Sequence, residues 1–293
     1  MSSPTLAILH PGAMGAAVGA CLRGLGHRVL WTSEGRSDAT RRRAEAAGLE
    51  DCGSLTTLVG SADIILSICP PHGALALARD VAALGFKGIY VDANAISPDT
   101  AREVAQAVAN AAGFVDGGIV GQPPKTAGST RLYLCGKDAA TVAALFEGSP
   151  LQAIAIDGPP GSASALKVCY AAWSKGATAL LANIRALARH EGVEQALLDE
   201  WQLSSTPTVK RSAEVAAKAD KAWRWVAEME EIAASFAAAG LPPGFHEGAA
   251  EIYRRLDQFK DAPSAPDIDT VLDQLQSSSN GLTPGKRQPQ AQA

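Results

Sequence analysis

The sequence predicts an α/β fold, in which a Rossmann-type, doubly wound, mostly parallel sheet is followed by an all-α second domain. Two observations carry this prediction. Up to about residue 156, short apolar runs alternate with Ala-rich helical patterns, the rhythm of βαβ units. After Asp157 the strand pattern stops and only helical patterns follow. We therefore expect domains at 1–156 and 157–276, and a disordered polar tail at 277–293.

The elements of the first part can be placed from local patterns. Ser97 and Pro98 form a helix start, with Ser as the N-cap and Pro at the first helical position. Ser164 to His190 reads as one nearly uninterrupted helix that is apolar on more than one face, and such a helix is expected to be buried all round. The apolar runs predict strands at Leu6 to Leu9, Val29 to Trp31, Ile64 to Ile68, Ile89 to Asp92, Phe114 to Asp116 and Leu132 to Leu134.

Composition excludes several classes of protein. The net charge of -4 argues against a general nucleic-acid binder, which needs a basic face. No apolar run approaches the ~18 residues of a membrane helix, and we expect no membrane partner. The five cysteines and five histidines are scattered without ligand spacing. We therefore expect a cytoplasmic protein with reduced thiols and no metal.

A dinucleotide-binding turn is predicted after the first strand. Gly12 would let the backbone approach a pyrophosphate, and Gly15 would let the helix pack closely on the strand. His10 stands where the first glycine of the G-x-G-x-x-G fingerprint makes its tight turn. The alternative is an ordinary Gly-rich turn between a strand and a helix. The candidate cofactor residues of this turn are Pro11, Gly12, Ala13, Met14 and Gly15.

The end of the second strand favours NADP over NAD. Thr32, Ser33 and Arg36 can hold a 2′-phosphate, with Arg36 supplying the charge. Glu34 is the competing observation, because a carboxylate there can bind the 2′-hydroxyl of NAD. Arg36 can also be an ordinary surface charge at a helix start. Cys69 and Pro70, at the end of the third predicted strand, are further cofactor candidates.

Four motifs together resemble the β-hydroxyacid dehydrogenase superfamily, which includes 3-hydroxyisobutyrate and 6-phosphogluconate dehydrogenases and the imine reductases. The match is clear over about residues 5 to 180, and the second half looks like a little-characterised branch with its own C-terminal domain. The motifs are the cofactor turn at 11–15, a "DxSTxxP"-like segment at 91–98, a "DAPVSGG"-like segment at 116–121, and a "GxxGxGxxxK"-like segment at 158–167.

The resemblance implies a nicotinamide-dependent oxidoreductase with a catalytic lysine. Lys167 would act as general acid/base on a substrate hydroxyl or carbonyl, with Asn94 at the cofactor and Ser97 near the substrate. The family's anchoring Ser-Gly-Gly becomes Val120-Gly121-Gln122, so Gly121 and Gln122 are the remaining substrate candidates there. The family's asparagine after the lysine is missing, and Tyr170 would donate the hydrogen bond instead.

The resulting hypothesis is hydride transfer between NADP and a small alcohol or carbonyl compound, with NAD as the other possible cofactor. One alternative is an imine reductase-like enzyme, although such enzymes usually lack the lysine that Lys167 supplies. Another is a non-catalytic NADP-binding protein on the same fold. Because one domain can hardly cover the long apolar helix, we also expect a homodimer through the α domain, as the family implies.

Overall fold

An eight-stranded sheet dominates the first half of this computed structural model, which describes residues 3–204 and 206–277. The strand order is β3-β2-β1-β4-β5-β6-β7-β8, and only the β6–β7 pairing is antiparallel. The strands are β1 Leu6–Leu9, β2 Val29–Trp31, β3 Glu50–Asp51, β4 Ile64–Ser67, β5 Ile89–Asp92, β6 Gly113–Gly121, β7 Thr130–Cys135 and β8 Leu151–Ala155. The predicted fold class is confirmed.

Apolar side chains on both faces of the sheet explain why helices cover it on each side. In β1, Leu6 and Ile8 belong to one buried cluster, whereas Ala7 and Leu9 belong to another. Because successive strand residues point to opposite faces, both faces need a covering layer of helices. The helices of this half are α1 Ala13–Gly24, α2 Asp38–Ala46, α3 Leu55–Ser61, α4 Ala74–Ala83, α5 Pro98–Ala107 and α6 Ala139–Ala144.

The second half contains helices and no strand within the described residues, as the sequence predicts. The long helix α7 begins two residues before the predicted start. Further along, α9 (Thr206–Ala213) is followed by a 3-10 segment at Ala216–Lys221. The helices are α7 Ser162–His190, α8 Glu194–Ser204, α9 Thr206–Ala213, α10 Trp223–Ala238, α11 Gly244–Arg254 and α12 Ile268–Ser277.

The limits of the two compact units differ from the predicted domain boundary. Within the described part of the chain, one unit comprises residues 3–172 and 230–243, and the other comprises residues 173–204, 206–229 and 244–277. The difference has a physical cause, because the first turns of α7 pack on β6 and part of α10 contacts the start of α5. Residues 278–293, most of the predicted tail, lie outside the described residues. Among the described residues, no helix is both long enough and apolar enough to span a membrane.

Candidate active site

The turn between β1 and α1 has the geometry of a dinucleotide-binding turn. A side chain at Gly15 would place its Cβ 2.6 Å from the carbonyl oxygen of His10, so only glycine fits there. This explains the close packing of the helix on the strand that the sequence predicts. Gly12 is the N-cap of α1, which has neither a side-chain cap nor an acidic residue in its first turn. The helix start therefore keeps a positive end for an anion.

His10 adopts the backbone conformation that the fingerprint glycine normally supplies. Its φ is 62°, in the left-handed region where residues other than glycine are strained. Its Nδ1 atom is buried and has no hydrogen-bond partner. Burial, and then the nearby charge of Arg36, lower the pKa of His10 from 6.5 to about 4. The histidine is therefore neutral at pH 7 and lies close to Arg36.

The three predicted 2′-phosphate residues after β2 differ in their contacts: Thr32 and Ser33 hydrogen-bond within the protein, whereas Arg36 Nε has no partner. Thr32 is buried and donates its hydroxyl to the Gly53 carbonyl at 2.8 Å. The Ser33 amide donates to the Asp51 carboxylate at 3.1 Å. These bonds hold the loop in shape. Arg36 is half-buried instead, and its buried Nε has no hydrogen-bond partner among the described residues.

Glu34, the competing feature for NAD, has a structural contact of its own. Its carboxylate accepts a hydrogen bond from the Leu55 amide, at the start of α3, at 3.3 Å. A carboxylate used to cap a helix is less available for a ribose hydroxyl. This contact favours the NADP interpretation.

Two arginines that the site prediction missed also reach this region. Arg41 donates to the Ser33 carbonyl at 2.9 Å. Arg43 donates to the hydroxyl of Thr40 at 3.0 Å and approaches the carbonyl of Pro11 at 3.5 Å. The run of three arginines at 41–43 was the available signal, since it closely follows the β2 segment.

A buried polar network joins the carboxyl ends of β4 and β5. The Asn94 side chain accepts from the Cys69 amide at 2.5 Å and donates to Ser67 at 3.1 Å and to Asp92 at 2.8 Å. Asn94 thus fixes the loop that follows β4. Pro70 precedes a 3-10 turn at Pro71–Gly73.

Burial changes the proton affinity of this network. It raises the pKa of Asp92 from 3.8 to about 7, although hydrogen bonds from Asn94 oppose the shift. Burial, and then the charge of Asp92, raise the pKa of the Cys69 thiol to about 12. Cys69 is therefore a thiol and not a thiolate nucleophile at neutral pH.

Asp116, at the middle of β6, holds the start of the helix that carries Lys167. Its fully buried carboxylate accepts hydrogen bonds from the amides of Gly161, Ala163 and Ser164 at 2.9 to 3.1 Å. The hydroxyl of Ser164 donates to its other oxygen at 2.5 Å. A carboxylate at this position satisfies the free amides of the first helical turn and complements the helix dipole.

Gly118 brings Lys167 against the sheet. A Cβ at Gly118 would lie 2.7 Å from the Ala163 carbonyl oxygen and 3.0 Å from the Cβ of Lys167. The absence of a side chain therefore lets α7 approach β6 closely. Lys167 is half-buried and lies beside β6, the strand that contains the "DAPVSGG"-like segment.

The remaining predicted residues differ in their exposure and local role. Ser97 caps α5 as predicted, since its hydroxyl accepts from the Thr100 amide at 3.1 Å. Gly121 has a φ of 123°, and the Gln122 side chain is exposed. Tyr170 is 49% exposed, more open than Lys167. Their roles toward a substrate, like the cofactor roles above, stay predictions.

No group of three or more His, Cys, Asp or Glu side chains suited to a metal ion is found among the described residues. All five cysteines are free thiols.

Comparisons with known proteins match parts of this chain to uncharacterised relatives. A family model described as "Domain of unknown function (DUF1932)" matches residues 188–256. An uncharacterised 28.5 kDa protein of Methanothermus fervidus is 29% identical over 57% of this chain, and the match spans only 64% of that relative.

Solved structures share the fold over most of the chain. The conserved protein MTH1747 of unknown function, described as structurally similar to 3-hydroxyacid dehydrogenases, is 26% identical with a TM-score of 0.64, over 87% of this chain and 97% of its own. The resemblance to the β-hydroxyacid dehydrogenase superfamily is confirmed.

Two further structures show the fold alone. The 3-hydroxyisobutyrate dehydrogenase of Mycobacterium tuberculosis is 22% identical with a TM-score of 0.70, over 94% of this chain and 99% of its own. A reductive aminase of Aspergillus terreus, in complex with NADPH and ethyl levulinate, is 17% identical with a TM-score of 0.56, over 93% of this chain and 99% of its own.

Proposed function

We propose that this protein is an NADP-preferring oxidoreductase that interconverts an alcohol and a carbonyl compound, with Lys167 as general acid/base. The observation that carries the proposal is the placement of Lys167. Asp116 and Gly118 fix it against β6, in the half of the fold that also contains the dinucleotide turn. Neighbours that are dehydrogenases and a reductase with NADPH support the same class of reaction.

The chain's own residues fit a dinucleotide. The uncapped start of α1, with Gly12 and Gly15, would receive the pyrophosphate, and Arg36 would pair with the 2′-phosphate. The nicotinamide, when bound, would supply or accept the hydride. In reduction, the Lys167 ammonium gives a proton to the carbonyl oxygen. In oxidation, the Lys167 amine takes the proton from the hydroxyl.

The first test removes the proton-transfer group. Lys167→Met should lower kcat by about 100-fold or more on any substrate found in a panel of alcohols and carbonyl compounds, because general acid/base catalysis contributes about that much. Fluorescence titration should give an unchanged Kd for NADPH. Lys87→Met, which changes an exposed lysine far along the sequence, is the matched control. Unchanged kcat in Lys167→Met would contradict the proposal.

A second prediction concerns cofactor choice. Arg36→Ala should weaken NADPH binding by about 1.5 to 3 kcal/mol, the scale of a charged hydrogen bond, and leave NADH nearly unchanged. Calorimetric titration of both cofactors measures this. Glu34→Gln, on the same loop, is the control and should alter neither affinity much. Equal losses for both cofactors would refute the role of Arg36.

Two other functions remain as alternatives. Imine reduction is favoured by the fold of the reductive aminase, whereas the retained Lys167 speaks against it. A non-catalytic NADP-binding protein would bind NADPH without turnover and would be insensitive to Lys167→Met. We also expect the protein to act in the cytoplasm on a small molecule, without nucleic acid or membrane as partner.

A homodimer is proposed from the exposed face of α7. Trp173, Leu180 and Leu187 recur every seven residues and are 66%, 43% and 61% exposed. Ala177 and Ile184 lie between them at the spacing of a helix-packing seam. An exposed apolar row of this kind favours association with a second copy of the chain, which would bury it. This corrects one expectation, because the long helix is not buried all round within a single chain.

The assembly is tested by light scattering at micromolar concentration. The natural chain should give twice its 30.1 kDa mass, and the double variant Leu180→Glu with Leu187→Glu should give 30.1 kDa. The reason is that two charges placed in an apolar seam oppose pairing. Leu84→Glu, at an exposed leucine elsewhere, controls for added charge. A monomeric natural chain would exclude this assembly.

A further inference from the structure

Glu231, on α10, places a carboxylate at the start of α5. Its Oε2 accepts a hydrogen bond from the Ser97 amide at 2.6 Å and another from the Thr100 hydroxyl at 3.3 Å. The helix already has its cap, because the Ser97 hydroxyl accepts from the Thr100 amide. The Glu231 carboxylate is thus an additional anion at a helix N-terminus, where the dipole stabilises it.

This carboxylate contacts the start of α5, which also packs against the turn that leads into the Lys167 helix. Ser97 follows β5 at the carboxyl edge of the sheet, the edge where doubly wound folds bind ligands. A Cβ at Gly161 would lie 3.0 Å from the Pro98 carbonyl oxygen, so the turn before α7 packs against the start of α5. A continuous set of contacts therefore joins Glu231, α5 and the helix that carries Lys167.

The arrangement is unfavourable for an anionic substrate. The Ser97 amide is occupied by Glu231, and an incoming carboxylate would meet a like charge there. Val120-Gly121-Gln122 provides no hydroxyl in the segment that resembles the family's anchoring motif. Among the described residues, Oε1 of Glu231 makes no hydrogen bond, which leaves one oxygen to accept from a donor.

We propose that Glu231 is a specificity-determining residue that selects substrates with an ammonium or other cationic group and excludes hydroxy acids. This inference rests on the proposed oxidoreductase function and gives it a substrate class. Glu231 pairs with the cationic group of the substrate, while Lys167 exchanges the proton at the reacting oxygen.

The test compares β-amino alcohols with β-hydroxy acids of matched chain length, with NADP present. The natural enzyme should show a kcat/KM at least about tenfold higher for the amino alcohols, and Glu231→Gln should lose roughly that factor. Glu230→Gln, the adjacent exposed residue on the same helix, removes an equal charge and should keep the preference. Thermal shift of the NADPH complex by the same compounds measures binding without turnover.

The possible results separate the inference from the function it rests on. Turnover of hydroxy acids in preference to amino alcohols, or an unchanged ratio in Glu231→Gln, would overturn the inference and keep the oxidoreductase. Absence of turnover with both classes would count against the proposed function. In that case, stabilisation by amino alcohols that Glu231→Gln abolishes would still support the selectivity. If amino alcohols do not stabilise the natural protein in this way, the inference about Glu231 is overturned.

Discussion

Asp116→Ala should lower the free energy of unfolding by about 3 to 5 kcal/mol. The substitution leaves the amides of Gly161, Ala163 and Ser164 buried without an acceptor, and each unsatisfied buried donor costs about 1 to 3 kcal/mol. Partial relaxation of the turn keeps the total below the sum. Urea denaturation followed by circular dichroism measures the loss of stability. The urea concentration at the midpoint of unfolding should fall.

Two control substitutions separate the loss of the Asp116 hydrogen bonds to α7 from the effect of losing any carboxylate. Asp116→Asn keeps the shape and one acceptor oxygen, so its loss should be intermediate. Asp99→Asn changes an exposed carboxylate in the first turn of α5, paired with Arg102, and should cost less than about 1 kcal/mol. If Asp116→Ala costs no more than Asp99→Asn, then Asp116 does not anchor α7.

Gly118→Ala should damage catalysis more than its single methyl group suggests. The new Cβ would approach the Ala163 carbonyl oxygen and the Lys167 Cβ, and backbone must shift to relieve the contact. Overpacking of this kind costs about 1 to 3 kcal/mol of stability. A displacement of Lys167 by about 1 Å can lower kcat about 100-fold. Both effects are measured on the purified variant, by denaturation and by turnover.

Gly60 is the control for Gly118, because a side chain at Gly60 has room. Gly60 lies in α3, and a methyl group added to it would meet nothing within 4 Å beyond the backbone of its own helix. Gly60→Ala should therefore stabilise the protein by up to about 1 kcal/mol. Its kcat should match that of the natural chain. Equal behaviour of the two variants would mean that the packing of α7 on β6 is not critical.

The sheet was predictable where strands are buried, and less so at its edges. β1, β2, β4 and β5 are runs of apolar residues, and their limits were found to within one residue. β3 is two exposed acidic residues, Glu50 and Asp51, which give no apolar signal. β8 was missed because it is an edge strand in which only Leu151 is fully buried. β6 extends well past Asp116 because glycines do not suggest a strand.

The site was predictable where a motif is local in sequence. The turn at Gly12 and Gly15 and the cap at Ser97 depend on neighbouring residues, and both were found. Asp116 was visible as a motif residue, but its bonds cross more than forty positions to Gly161, Ala163 and Ser164. Glu231 reaches Ser97 across 134 positions. Hydrogen bonds between residues so far apart in sequence depend on the folded structure, and no local sequence pattern predicts them.

The pKa shifts of His10 and Asp92 have opposite signs, so the two residues respond to acid in opposite ways. Burial holds the pKa of His10 near 4, so its stabilising contribution is complete above pH 6.5 and is lost as the pH falls toward 4. Burial raises the pKa of Asp92 to about 7, so its contribution is complete below pH 3.8 and is lost as the pH rises through 7. The two pH windows nearly coincide, so the two contributions change in opposite directions over the same range. Mild acid therefore weakens the contribution of His10, at the turn between β1 and α1, and strengthens that of Asp92, at the end of β5.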